Sequence, residues 1–154
     1  RLVDVNSSVQ IAGGDVYVVG YQGRLGAIAL ESGQLLWSRE LSSYNGLALD
    51  INTIFVTDQR SDLVALSRAS GRELWRRKDL RNRDVSGPAV ISSSVVVGDF
   101  EGYLQWYDLG TGDLQARVKA GSDRITSQPL VVNDIRYVMN DGGNRYAFSI
   151  VPGK

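Results

Sequence analysis

The segment from Val16 to Trp37 reads VYVVGYQGRLGAIALESGQLLW, and its pattern of residue types returns at 54–75 as IFVTDQRSDLVALSRASGRELW. Each copy contains a β-branched or aromatic run, a turn, a second apolar run, a Ser-Gly pair and a final tryptophan. A third copy at 95–116 keeps the runs and the turns but ends in Ala116. The copies are offset by 38 and then 41 residues, so the chain is built from one repeated unit.

Three sets of turn residues recur with this spacing. They are Gly23, Ser61, Gly102 and Gly143; Gly20, Asp58, Asp99 and Asn140; and the pairs Ser32-Gly33, Ser70-Gly71 and Thr111-Gly112. A period of about 40 residues made of short strands is typical of a β-propeller, in which each repeat forms one four-stranded blade.

The sequence therefore predicts an all-β partial propeller over residues 1–154, with four blades at about 7–45, 46–86, 87–127 and 128–154. The second apolar run of each repeat is nearly continuous, which favours a strand buried on both faces between neighbouring blades. Only four residues follow Ile150, so we expect three complete antiparallel blades and a last blade without its outer strand.

The composition argues against several classes of protein. Seventeen basic and seventeen acidic residues cancel, whereas a nucleic-acid surface needs a net basic face. Cysteine and histidine are both absent, which removes disulfides, thiol nucleophiles, Cys-zinc sites and the usual general base. No apolar run could span a membrane. The chain begins with Arg1 rather than Met, so we expect it to start inside a larger product.

Acidic and amide side chains follow the second strand of successive repeats, at Asp58, Asp99 and Asn140. A pair of carboxylates could carry out acid–base chemistry. Asp and Asn also favour turns, because their side chains accept hydrogen bonds from nearby backbone N–H groups. We favour the turn interpretation, since the same residue types recur wherever this turn recurs.

Trp37 and Trp75 occupy equivalent positions, and Trp106 lies on a different strand. Such rings could stack on a planar cofactor or a sugar, or could pack between blades. We favour packing, because a residue that recurs with the repeat is expected to serve the repeat.

Charged residues are dense from Arg72 to Asp84, where six are basic and three are acidic. One interpretation is a binding site for an anionic partner. The other, which we favour, is an exposed outer strand and loop whose charges prevent edge-to-edge aggregation.

The repeats resemble the pyrroloquinoline-quinone-type propeller repeat, through Gly23 to Leu30 with Ser32-Gly33 and Trp37, and through 62–66 with Ser70-Gly71 and Trp75. Four further segments are similar to the C-terminal half of the BamB family, and the similarity extends over the whole chain. They are Arg1-Leu2-Val3-Asp4-Val5, Ser38-Arg39-Glu40-Leu41, Val56-Thr57-Asp58-Gln59 and 97–104.

The resemblance to this family implies an eight-bladed propeller of roughly twice this length, of which this chain would hold about four blades. It implies a non-enzymatic subunit without cofactor or metal, held at the periplasmic face of the outer membrane by a lipidated N-terminal cysteine that lies outside this chain. The implied partners are the periplasmic (POTRA) domains of BamA and other subunits of the outer-membrane β-barrel assembly machine.

The resemblance also implies a partner-binding segment. The family has an acidic pair in an Arg-Leu-x-Asp-Val-Asp segment, and Arg1, Asp4 and Asn6 occupy the corresponding positions here. Asn6 replaces the second acid, so it keeps a hydrogen-bond acceptor but carries no charge.

Two other functions stay open on the residues alone: half of a quinone-cofactor dehydrogenase propeller, and a generic protein-binding propeller. Four blades of an eight-bladed ring would have two open ends with apolar surface. We therefore expect these 154 residues by themselves to pair with their missing half or to self-associate.

Overall fold

The computed structural model describes residues 9–20, 23–41, 44–125, 128–132, 135–139 and 145–149. These ranges contain strands and turns but no helix. The strands are β1 (Val9–Ala12), β2 (Asp15–Gly20), β3 (Arg24–Ala29), β4 (Leu35–Glu40), β5 (Tyr44–Leu49), β6 (Thr53–Asp58), β7 (Leu63–Ser67), β8 (Glu73–Arg77), β9 (Ala89–Ile91), β10 (Ser94–Gly98), β11 (Tyr103–Asp108), β12 (Leu114–Lys119), β13 (Leu130–Val132), β14 (Ile135–Met139) and β15 (Arg145–Ser149).

The strands form four antiparallel sheets in chain order. The first three sheets have four strands each, β1 to β4, β5 to β8 and β9 to β12, and the last has three, β13 to β15. We call them blades 1 to 4. The first strand of blade 3, β9, contacts the first strands of blades 2 and 4, β5 and β13. The prediction of an all-β partial propeller with three complete antiparallel blades is confirmed. The described residues of the last blade form three strands, and the residues after Ser149, on which the prediction of a missing outer strand depends, lie outside the described ranges.

The turn before each fourth strand has the same backbone irregularity in every complete blade. The pairing of the third strand with the fourth shifts by one residue at Ala27/Ile28, at Ala65/Leu66 and at Trp106/Tyr107, and these three positions have the spacing of the repeat. Gly33, Gly71 and Gly112 follow with φ of 70°, 73° and 76°. Glycine adopts this left-handed conformation without steric cost, which explains why the Ser/Thr-Gly pair recurs.

The hydrophobic core lies between the blades, in three layers. The first joins Tyr17 and Leu25 of blade 1 to β6 and β7 of blade 2. The second joins Phe55 of blade 2 to β10 and β11 of blade 3, and the third lies on the opposite face of blade 3. The second and third strands of blade 2 are consequently buried on both faces over most of their length, as the apolar runs predicted.

Trp37 and Trp75 join successive blades. The indole N–H of Trp37 donates a 2.7 Å hydrogen bond to the carbonyl oxygen of Arg68 in blade 2, and that of Trp75 donates a 3.0 Å bond to Leu109 in blade 3. The rings lie against Tyr17 and Phe55 at centroid distances of 6.4 and 5.8 Å. Both tryptophans are half-buried rather than fully buried, because the fourth strand that carries them forms the outer edge of its blade.

Candidate partner-binding face

One end of the blades is formed by the turns between second and third strands and by the segments that follow fourth strands. We call this end the turn face. Blade 1 places Gly23 and Leu41 there, blade 2 places Asp58, and blade 3 places Asp99. Strand β1 begins at this end, because Val9 pairs with Val18 near the end of β2.

The predicted partner-binding residues Arg1, Asp4 and Asn6 lie outside the described residues. Asp84, which precedes β9 as Asp4 precedes β1, is described. It has a φ of 49° and forms a 2.7 Å ion pair with Arg124. The side chains are 60% and 47% exposed, so this carboxylate lies on the rim of the turn face.

Asp58 and Asp99 form the predicted turns. One carboxylate oxygen of Asp58 accepts the backbone N–H groups of Arg60 and Asp62, at 2.9 and 3.0 Å. Asp99 accepts those of Glu101 and Tyr103 at the same distances. The turn interpretation is confirmed for both residues, and the third member of the set, Asn140, lies outside the described residues.

The second carboxylate oxygen of each aspartate accepts hydrogen bonds from arginines of the charged stretch between Arg72 and Asp84. The carboxylate of Asp62 does the same. Arg81 donates two hydrogen bonds to Asp62, at 2.7 and 2.9 Å. Arg76 donates to Asp62 at 2.9 Å and to Asp58 at 3.2 Å. The hydrogen bond from Arg81 is the main cause that lowers the pKa of the buried Asp62, and burial opposes it. Asp62 is thus a buried, ionised carboxylate that fixes two guanidinium groups.

Blade 3 repeats the arrangement with different donors. Burial raises the pKa of Asp99, but hydrogen bonds from Gln105, from the N–H of Tyr103 and from Arg83 outweigh it and lower the pKa overall. The Arg83 guanidinium lies 2.7 Å from the Asp99 carboxylate.

The structure therefore changes the interpretation of the charged stretch. The interpretation as protection of an exposed strand edge fits Arg72, which is exposed. It does not fit Arg76, Arg81 and Arg83, because these arginines pair with buried carboxylates. The sequence carried only a partial signal: Arg76 and Arg81 follow Asp62 by 14 and 19 residues, whereas Arg83 precedes Asp99 by 16. No motif joins them, so sequence reasoning missed the pairs.

A cleft of about 380 Å³ opens at the turn face between blades 1 and 2. Glu40 and Leu41 of blade 1 form one wall. Residues of blade 2 form the rest: Asp58, Arg60, Arg76, Lys78 and Arg81. Four cationic side chains and the buried carboxylate of Asp58 thus line one concave site.

Within the described ranges, acidic side chains do not gather in threes as a metal site would require. The same ranges contain no helix long and apolar enough to cross a membrane.

Comparison with known proteins gives one family. The family model described as "Outer membrane protein assembly factor BamB" matches residues 1–77 and 62–154. The protein of that name from Pseudomonas aeruginosa is 39% identical over 150 residues, which cover 97% of this chain and 40% of the relative. The chain therefore spans less than half the length of this relative.

Solved structures agree on the fold. The crystal structure of BamB from Moraxella catarrhalis superposes with a TM-score of 0.87 at 23% identity, over 95% of this chain and 43% of that one. Quinohemoprotein alcohol dehydrogenase from Comamonas testosteroni superposes with a TM-score of 0.71 at 17% identity, over 88% of this chain and 29% of the dehydrogenase chain. At these identities the likeness shows the propeller fold alone. The match of the family model to both halves of the chain shows more: this chain belongs to the BamB family of outer membrane protein assembly factors.

Proposed function

We propose that this chain is part of a non-catalytic scaffold subunit that assists the assembly of outer-membrane proteins at the periplasmic face of the outer membrane. The observation that carries the proposal is the 39% identity, over 97% of this chain, to a protein named as an outer membrane protein assembly factor. Its partners would be the periplasmic domains of BamA and other subunits of the same machine.

The turn face supports a positional mechanism. Buried hydrogen bonds hold its loops to the blades. The hydroxyl of Thr57 donates to the carbonyl oxygen of Ser86 at 3.1 Å, and the N–H of Gly98 donates to the Ser86 hydroxyl at 2.9 Å. The N–H of Val85 donates to the Ser61 hydroxyl at 3.2 Å. A preorganised surface binds a flexible partner without first losing its own conformational freedom. Such a face would hold a mobile periplasmic module in one orientation.

We propose that Asp4 contributes to this binding. Asp84, at the equivalent place in a later repeat, reaches solvent and pairs with a guanidinium at 2.7 Å. A carboxylate at the same place before β1 could pair with an Arg or Lys of the partner in the same way. An ion pair at the rim mainly affects the association rate and the register of the complex, whereas a desolvated ion pair contributes more to the binding affinity.

The test uses the full-length protein that contains this chain and the periplasmic domains of BamA, with dissociation constants measured at low salt. Asp4→Ala should weaken binding without lowering the melting temperature. Asn6→Asp should strengthen binding or leave it unchanged. Asp113→Ala is the control, because it removes an exposed carboxylate from the turn before β12, at the end of the blade opposite the turn face. An Asp4→Ala protein that binds as tightly as wild type would show that the assigned segment is wrong.

A further inference from the structure

We propose that the cleft between blades 1 and 2 is a second partner contact, in which Arg60 and Lys78 bind acidic side chains of a protein partner. The proposal rests on the proposed function, since it assigns a further contact to the same binding face. It concerns residues distant in sequence from Arg1, Asp4 and Asn6.

The four cations of the cleft are of two kinds. Arg76 and Arg81 are already neutralised by Asp58 and Asp62, through distances of 2.7 to 3.2 Å. Arg76 also contacts Glu73 at 2.6 Å. These two guanidiniums are fixed parts of the wall and have little capacity left for a ligand.

Arg60 and Lys78 differ because both are exposed and neither has an ion-pair partner among the described residues. The backbone of Arg60 is fixed at the tip of the Asp58 turn by a 2.9 Å hydrogen bond. The backbone carbonyl oxygen of Lys78 accepts a 3.3 Å hydrogen bond from the backbone N–H of Arg81. Two exposed cationic side chains therefore extend from hydrogen-bonded backbone into the same cleft.

The nearby carboxylates already have other partners. One oxygen of Asp58 accepts two backbone N–H groups and the other faces Arg76, while both oxygens of Asp62 accept bonds from arginines. Glu40 lies on the opposite wall, 3.7 Å from Arg24. The mouth of the cleft therefore carries an unbalanced positive charge that an incoming carboxylate would complement.

The shape and the wider charge favour a protein as the source of that carboxylate. An anionic membrane or a nucleic acid binds a broad basic face, but this chain has equal numbers of acidic and basic residues. The cleft is concave, its volume is in the range of ligand pockets, and its walls carry both signs of charge. A mixed, concave surface suits acidic side chains projecting from a folded partner.

The experiment measures binding of the BamA periplasmic domains to the full-length protein, in wild type and in the Arg60→Glu, Lys78→Glu double variant. The variant should fold with an unchanged melting temperature, because neither side chain has a structural partner. We expect its dissociation constant to rise about tenfold at low salt, with a smaller difference at high salt where the charges are screened. Arg72→Glu is the matched control, since Arg72 is an exposed cation at the opposite end of blade 2; its binding should stay within about twofold of wild type.

The outcomes separate the two proposals. Wild-type protein that does not bind these domains would overturn the proposed function and this inference with it. If wild type binds and the double variant binds equally well, or if Arg72→Glu weakens binding as much, the cleft is not a contact. A parallel arm uses phosphatidylglycerol–phosphatidylcholine vesicles. Vesicle binding that is lost in the double variant, with partner binding intact, would assign the cleft to lipid and overturn the inference.

Discussion

Trp37 of blade 1 covers Gly71 of blade 2 so closely that a Cβ atom on the glycine would lie 2.5 Å from Cε3 of the indole. Trp75 covers Gly112 of blade 3 in the same way, with Cδ2 at 2.6 Å. The tryptophan at the end of one repeat and the glycine in the turn of the next are therefore one packing unit. This unit fixes the position of each blade on its neighbour.

Replacing either tryptophan with alanine should destabilise the protein by about 3 kcal/mol, at the low end for tryptophan truncation because the rings are half-buried. The loss combines packing on the next blade with the hydrogen bond to Arg68 or Leu109. Denaturant unfolding measures the effect. Trp37→Phe is the control: it keeps a ring and should lose only about 1 kcal/mol for the missing indole bond. Unchanged stability in both alanine variants would show that the rings do not hold the blades together.

Gly71→Ala should destabilise the protein more than Gly33→Ala, although the two glycines have nearly the same φ. Both variants incur about 1–2 kcal/mol for a side chain in the left-handed conformation. Only at Gly71 would the new methyl also collide with an indole, since nothing lies within 4 Å of a Cβ at Gly33. Melting temperatures of this polypeptide would separate the two effects, and equal losses would contradict the contact.

The buried carboxylates should make stability fall in acid. The pKa values of Asp62 and Asp99 are lowered in the folded protein from an ordinary value of 3.8. Their contribution is therefore complete above pH 3.8 and is lost as the pH falls through the lower folded-state values. Unfolding free energy measured against pH should stay level near neutrality and decline below about pH 4.

Asp62→Asn should reduce that acid decline and lower stability at neutral pH by about 2 kcal/mol, since it weakens the partner of two partly exposed arginines. Asp113→Asn is the control, because Asp113 is exposed and has no ion pair among the described residues. If Asp62→Asn and Asp113→Asn give the same pH profile, Asp62 does not carry the acid sensitivity.

A polypeptide of these 154 residues alone should self-associate. The side chains of Val9 and Ile11 on β1 are 54% and 64% exposed, and they pair with Val18 and Val16 on the blade face that is turned away from blade 2. An exposed apolar sheet face favours association. Light scattering should detect oligomers, and replacing Val9 and Ile11 with threonine should reduce them. A monodisperse monomer that melts cooperatively would contradict this prediction.

The order of the blades and the chemistry of their turns could be predicted from sequence. These features depend on a few neighbouring residues, so they recur in each repeat. They are the alternation of strands, the left-handed glycine and the aspartate that accepts hydrogen bonds from nearby N–H groups. The turn roles of Asp58 and Asp99, and the packing of Trp37 and Trp75 between blades, followed for this reason.

The ion pairs and the cleft could not be predicted in this way. Asp62 meets Arg81 only because the segment after β8 folds back over the turn before β7, and Glu40 and Arg60 line one cleft only because blade 1 stacks on blade 2. Sequence by itself determined the repeat, the blades and the family of this protein. The tertiary structure decided which charges are buried, which are paired and which stay free, because a charge responds to every group near it in space, whatever the separation along the chain.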